Sequence, residues 1–519
     1  MDETQPLLPQ RTNEYRAHHP QDKTDVNYRL DFDPNGDPDN PQDWKTSYKW
    51  GVVLLLAFMA FSVTFNCIGL VPVANNIVAD LDHASGRESS SAASVLLVTI
   101  WELGEAAGPL LIAPMSEVYG RYPVFNIANG LFIACTVLGA LSQSTTLLIF
   151  ARFFSGCAVA GNVLNPAIIG DMFPTKSRGS PMSVIMLAPL LGGAVGPAVA
   201  GLVAQTTGWR EIIWISVGLA TVAEILFLVL LRETYKPAIL RRRAHKLGVV
   251  VRRGAKSDDT EALIDVETMH PEVSIWKSIK RPATVFASSV VLQMLSLYGA
   301  VIFAFYYVVS TTLPGILETI YAFPPTLIGA SFLSFSESSL PLTMRGVRSR
   351  LRPTLALGSA LGTIVCNSLL DYITVRLQPP HRPHQPELRL PLAIFGAFTL
   401  PLTLALYGWT ADLHLPFPVL ILSVALMGFT LILGLLPVTS YVVDAFGMYS
   451  ASAFTAVLIT RCLMSTFMPM AAQPLASVWG WGWGMCGLAA VCMALAPVPV
   501  VIFRYGGSLR ERSTFTKEE

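Results

Sequence analysis

Charge is what this sequence has least of. Asp, Glu, Lys and Arg make up 14% of its 519 residues, against about 25% in an ordinary soluble domain. Hydrophobic residues make up 52%, so the balance excludes a water-soluble chain and points to a membrane protein. The net charge of +1 gives no draw toward nucleic acid. The cysteines are few and unpaired in spacing: Cys67, Cys135, Cys157, Cys366, Cys462, Cys486 and Cys492 each sit within an apolar stretch. That excludes a disulfide framework or a metal cluster, and no metal or other cofactor is expected. All eight histidines (His18, His19, His83, His245, His270, His381, His384 and His414) fall outside the apolar stretches. Protons crossing this chain would therefore have to ride on carboxylates. A nucleotide-binding loop is also absent, which leaves no basis for ATP drive, and nothing has the spacing of an enzyme's catalytic cluster.

What is present is a series of apolar runs, each near the ~20 residues that a membrane-crossing helix needs. They lie at 50–73, 91–114, 122–142, 145–168, 180–204, 211–231, 284–309, 389–409, 416–441, 448–472 and 481–503, with a damaged eighth whose stretch 324–361 does not read as a membrane helix. The expected fold is all-α, with twelve spans in two six-helix halves. The expected divisions are a disordered tail at 1–47, a first half at 48–231, a polar loop at 232–283, a second half at 284–504 and a short tail at 505–519. With the N-terminus cytoplasmic, 28 of the 36 Lys and Arg fall in cytoplasmic segments, and only Arg87 and Arg210 in outer loops. That asymmetry sets the orientation. No signal peptide is expected ahead of the first span.

The stretch Trp101–Phe125, WELGEAAGPLLIAPMSEVYGRYPVF, organises the functional reading. Glu102 and Glu105 lie inside the second run. At about 1.5 Å per residue from Ser91, Glu102 is about 16 Å deep, and Glu105 is about 5 Å deeper on roughly the same face. Acids in hydrocarbon are costly and mark proton or substrate paths by default, although a structural carboxylate bonded to a neighbouring helix would have the same sequence. Arg152, in the fourth run, lies within about 6 Å of the height of Glu102. It is the natural fixed charge against which that acid would titrate, unless it snorkels to the interface. Arg461 and Glu224 are the other charges within spans.

Three motifs carry a family resemblance. Ala113-Pro114-Met115-Ser116-Glu117-Val118-Tyr119-Gly120-Arg121 resembles a G-x-x-x-D-x-x-G-R loop, with Ala for the first Gly and Glu for Asp. Leu148-x-x-x-Arg152-x-x-x-Gly156 is similar to a membrane-arginine motif. Gly192-Gly193-Ala194-Val195-Gly196-Pro197-Ala198-Val199-Ala200-Gly201 matches G-x-x-x-G-P-x-x-G-G except at Ala200. Shorter likenesses include Asp37-Pro38-Asp39-Asn40-Pro41-Gln42-Asp43-Trp44, LNPAIIGDMFP at 164–174, RETY at 232–235 and YVVDAFGMYSASA at 441–453. In this order they resemble the major facilitator superfamily, and within it the fungal twelve-span drug:proton antiporters.

That resemblance implies a proton-coupled exporter of small organic molecules working by alternating access. Proton coupling would fall to Glu102, Glu105 and Arg152. A cytoplasmic gate would use Glu117, Gly120, Arg121, Asp171 and Arg178. The antiporter helix motif would rest on Gly192, Gly196, Pro197 and Gly201, whose small residues permit close helix packing. The substrate cavity would draw on Asn66, Asn162, Asn165, Gln293, Tyr298, Tyr306, Tyr307, Tyr441 and Arg461. Expected partners are a small-molecule substrate, protons and the lipid bilayer, with a monomeric chain. The rival readings are a proton-symporting importer of a nutrient or polyamine, and a sensor that binds without transporting. The plasma membrane is expected; Glu3-Thr4-Gln5-Pro6-Leu7-Leu8 also fits an acidic dileucine sorting pattern, which would allow the vacuolar membrane.

The eighth run is interrupted by Glu337, Pro341, Arg345, Arg348, Arg350, Arg352 and Pro353. Each arginine costs about 2.5–3.5 kcal/mol at the centre of a spanning helix. Removing 337–356 joins the two flanks into the continuous apolar segment FLSFSLGSALGTIVCNSLLDY, so this stretch reads as a retained intron or as an insertion that interrupts the helix. Transcript sequencing should find messages lacking these codons; their presence in every message would sink the intron reading.

Overall fold

The computed structural model describes residues 32, 36–84, 86, 90–174, 177–246, 275–335, 356–377, 385–446 and 450–510. Its regular elements are helices throughout, as a chain must use where the bilayer core offers no water to satisfy backbone groups. The first half comprises α1 (Thr46–Gly69), α2 (Ala74–Ala84), α3 (Ser91–Tyr119), α4 (Arg121–Ala140), α5 (Thr145–Cys157), α6 (Gly161–Met172), α7 (Gly179–Thr206) and α8 (Trp209–Leu230). Two helices follow from the central segment, α9 (Lys236–Lys246) and α10 (Ile275–Ser288). The second half holds α11 (Val290–Thr319), α12 (Pro325–Phe335), α13 (Ala356–Leu377), α14 (Pro391–Asp412), α15 (Phe417–Phe446), α16 (Ser450–Phe467), α17 (Ala472–Leu495) and α18 (Pro497–Arg510).

Among the described residues, nine helical runs are long and apolar enough to cross a membrane. The expected fourth span is divided at Ala158–Ala160 into α5 and α6, neither long enough alone. The expected last two spans fall in one run, Ser452–Arg510. The expected eighth contributes α12 and α13, and the stretch assigned to the insertion lies outside the described residues except for Ala356, which opens α13. Most of the expected tail 1–47 is likewise outside them. Its last part, however, is folded: Asp37 is 4% exposed and takes Arg243 in two hydrogen bonds of 2.8 and 3.0 Å. The central loop turns helical at Lys236, in α9, and the C-terminal tail begins within α18.

Within the first half α1 packs on α7 and α8, α3 on α5, and α4 on α5 and α8. Within the second, α14 packs on α15 and α17, α13 on α15, and α11 on α16 and α15. The halves meet along two seams, α7 on α12 and α3 on α16, while α10 touches both α3 and α16. Residues of the antiporter motif serve two faces of α7. A Cβ on Gly192 would stand 2.5 Å from the carbonyl of Phe61 in α1. A Cβ on Gly201 would stand 2.3 Å from the carbonyl of Pro325 in α12, and one on Gly329 2.3 Å from that of Pro197. Backbone thus lies against backbone across the seam, where only glycine fits.

Gly329→Val should force α12 off α7. Overpacking of this kind costs about 1–3 kcal/mol, read as a lower thermal unfolding midpoint in detergent. Gly130→Val, at an exposed glycine with nothing within 4 Å of its Cβ position, should leave the midpoint unchanged.

Candidate functional site

Glu102 is buried on the α3–α16 seam at 3% exposure, and it accepts a 2.6 Å hydrogen bond from the hydroxyl of Tyr307 on α11. Acid and phenol belong to different halves. Its second oxygen, Oε2, is buried without a hydrogen-bond partner among the described residues. One turn further along α3, Glu105 Oε1 faces Arg461 Nη2 of α16 at 3.9 Å, an ion pair too long to be a hydrogen bond. The Arg461 guanidinium lies 4.1 Å from the centroid of Phe303, which is stacked in turn on Tyr306 at 5.9 Å. Toward one end of the seam, Thr99 donates to the carbonyl of Thr466 at 2.9 Å, and the Thr466 hydroxyl is shared between the carbonyls of Cys462 at 2.8 Å and Thr99 at 3.2 Å. Both threonines are fully buried.

Arg152 does not pair with Glu102, contrary to expectation. Its guanidinium donates to the carbonyls of Asn66 and Cys67 at 2.8 Å and of Leu97 at 3.3 Å, and lies 4.9 Å over the Trp101 ring. The reason lies in α1, which ends at Gly69. The carbonyls of its last turn have no partner within the helix, and a buried guanidinium with five donors satisfies them. Arg152 therefore ties α1, α3 and α5 together within the first half.

Several expected cavity residues are occupied elsewhere. Tyr298 donates to the Ala393 carbonyl at 3.2 Å and joins α11 to α14. Gln293 donates to the carbonyls of Phe286 and Ala287 at the end of α10. Asn66 turns its amide to Thr136 at 3.5 Å, and Tyr441 is buried within electrostatic reach of Glu387 and Arg510. Tyr307 belongs to the acid. Asn165 is buried with its Oδ1 unpartnered among the described residues, and the side chain of Asn162 lies outside them. Glu224, on α8, accepts from Asn129 of α4 at 2.7 Å, a contact inside the first half.

The expected gate is rearranged. Gly120 has φ 102°, in the left-handed region that favours glycine, and a Cβ there would stand 2.3 Å from Glu233 Oε2. Glu233 Oε1 accepts from the backbone N–H groups of Arg121 at 2.8 Å and of Thr234 and Tyr235 at 3.1 Å. It thus caps the start of α4, where free N–H groups favour an anion. Glu117, by contrast, is exposed, and its backbone carbonyl accepts from Arg241. Arg121 lies 3.5 Å from Asp171 and 4.6 Å over the Tyr235 ring. Arg178 donates to the carbonyls of Phe173 and Gly170 at the end of α6. This cluster lies wholly in the first half and the segment after it. A second cluster, pairing Arg389 with Asp444 and Arg510 with Glu387, lies in the second half. The sequence signal for Glu233 was RETY directly after the sixth run; for the second cluster it was only acids and arginines flanking apolar runs.

Together, the apolar helices and the charged seam between two helical halves define a multi-pass membrane protein. The Major Facilitator Superfamily profile matches residues 53–469, and the chain belongs to that family, whose members here are named as transporters and pumps rather than enzymes. Among curated relatives, the efflux pump radE of Floropilus chiversii is 31% identical over 489 residues, covering 94% of this chain and 85% of the relative. The MFS transporter prlG of Fungal sp. (strain NRRL 50135) is 33% identical over 490 residues, covering 93% and 96%. Among solved structures, a D-xylose-proton symporter shares the fold at TM-score 0.60 and 14% identity, covering 87% of this chain and 99% of its own.

Asp171 stands one residue from the end of α6, beyond the apolar run that ends near 168. Burial raises its carboxyl from 3.8 to about 6, against the opposing pull of Arg121 and Thr234. The folded protein then holds a proton that the unfolded chain has lost, so this group's contribution to stability falls as pH rises from about 4 to about 6. Asp171→Asn should remove that slope, seen as a flatter dependence of thermal midpoint on pH than in the wild type.

Proposed function

We propose that this chain is a proton-coupled exporter of small organic molecules. The observation that carries this reading is Glu102: an acid within the apolar helix Ser91–Tyr119, 3% exposed, bonded across the seam between two halves. A carboxylate so placed changes charge when it takes up a proton, and that change acts directly on the contact between the halves. Glu105, facing Arg461 at 3.9 Å, supplies a second acid whose protonation would release a cation into the same space. In alternating access, the half at 48–231 would rock against the half at 284–504. Protons would enter on these acids from outside and leave to the cytoplasm.

Export rather than import is supported by the Gly192–Gly201 run, which seats α7 on α1 and, through Gly201 and Pro197, against α12, and by relatives such as the efflux pump radE. Backbone contact of this kind seals the seam against a proton leak. Arg461, Phe303 and Tyr306 form a stacked aromatic and cationic surface beside the acids. It suits flat organic molecules with a polar group. Arg152, fixed on the carbonyls of Asn66, Cys67 and Leu97, is an immobile positive charge within the first half. We assign the protein to the plasma membrane as a monomer.

In cells expressing the chain, Glu102→Gln combined with Glu105→Gln should cut gradient-driven efflux of exported drugs at least about ten-fold, the equivalent of 1.4 kcal/mol in coupling. Collapse of the proton gradient should do the same to the wild type. Efflux that survives both changes would refute proton coupling at these acids.

A further inference from the structure

We infer that Tyr307 is the residue that passes the protonation state of Glu102 to the other half of the protein. The inference rests on the proton-coupling reading above and adds to it a named positioning residue, previously expected only to line the substrate cavity. Tyr307 and Glu102 are each 3% exposed, and the 2.6 Å bond between them is the direct link from the acid on α3 to α11.

The chemistry of the bond gives it a direction. A phenol donates most strongly to an ionised carboxylate, and charge-assisted hydrogen bonds are roughly twice as strong as neutral ones. Here Oε1 takes the phenol, and Oε2 is buried with no hydrogen-bond partner among the described residues. A proton arriving from the outer side can therefore settle on Oε2 without displacing Tyr307. The phenol then donates to a neutral acid, and the tie between the halves loosens. When the proton leaves to the cytoplasm, the carboxylate is ionised again and the tie is restored. No bond other than O–H is made or broken.

The other groups facing the acid make no comparable bond to it. Glu105 shares its helix. Arg461, on α16, lies within electrostatic reach of Glu102, but its ion-pair contact is with Glu105 at 3.9 Å and its guanidinium rests on Phe303. Arg152, on α5, is held by three carbonyls. Cys462, on α16, lies beside Glu102, and Cys67, on α1, beside Tyr307; a thiol is a weak donor. Tyr306, on α11, packs edge-on against Tyr307 at 5.3 Å and stacks on Phe303. The consequence of loosening can be read nearby, because Thr99 lies one turn from Glu102 on α3 and clasps Thr466 on α16.

The test is hydrogen–deuterium exchange of the full chain in lipid nanodiscs, with no substrate added, at two pH values and corrected for intrinsic exchange rates. Peptides spanning Thr99 and Thr466 are followed. The wild type should lose protection on acidification by about ten-fold, the conversion of about 1.4 kcal/mol. Tyr307→Phe should abolish the ratio between the two pH values, and Glu102→Gln should do the same. Tyr307→Gln, which keeps a donor, should retain part of it and serves as the readout if the phenylalanine variant does not fold. A merely structural phenol would lower protection equally at both pH values and leave the ratio intact. A wild-type ratio in both Tyr307 variants would overturn the inference. If Glu102→Gln alone removes the ratio, the acid keeps its role and Tyr307 loses its own.

Discussion

Everything in this molecule turns on the cost of placing a carboxylate where water is scarce. A buried acid must be neutral, paired or hydrogen-bonded, or the fold loses several kcal/mol. The chain meets that constraint at Glu102 with a donor from the opposite half. The choice of partner matters more than the presence of one. A donor on a neighbouring helix of the same half, as Asn129 is to Glu224, would give a quiet structural acid. A donor across the seam makes the charge state of one side chain a term in the free energy of the contact between two bodies.

The rest of the architecture keeps that term in control. Backbone-to-backbone contact between α7 and α12, with Gly201 and Gly329 against opposing carbonyls, holds one seam by close packing. The reciprocal threonine clasp holds the other close to the acid. Arg152, spent on the terminal carbonyls of α1, keeps the first half rigid while contributing a charge that cannot move. At the charged end, Glu233 fixes the turn at Gly120 from within its own half. Among the described residues, that cluster braces the first half.

Much of this was legible in the sequence, and the boundary is physical. Apolar runs near the thickness of a bilayer announce helices, and an acid inside one announces itself, because hydrocarbon makes both expensive to arrange otherwise. The Gly192–Gly201 run predicted close packing, which glycine spacing alone encodes. Partners were not legible. Arg152 and Glu102 lie at similar heights, yet the arginine was taken by unpaired carbonyls whose position depends on where α1 stops. Tyr307 looked like cavity lining because a tyrosine on an apolar helix has no pattern that distinguishes a ligand contact from a hydrogen bond to another helix. Glu233 was hidden for the same reason: a cap is defined by the backbone it meets, and the backbone at Gly120 lies more than a hundred residues away.

The most direct measurement is an infrared difference titration of the purified chain in lipid, following the C=O stretch of a protonated carboxylic acid. As pH is lowered through the working range, the wild type should gain a band that Glu102→Gln lacks, showing that this acid takes up and releases a proton in the folded protein. Spectra that coincide for the two proteins would mean that Glu102 never changes its charge, and that the seam is held by a fixed hydrogen bond rather than a switch.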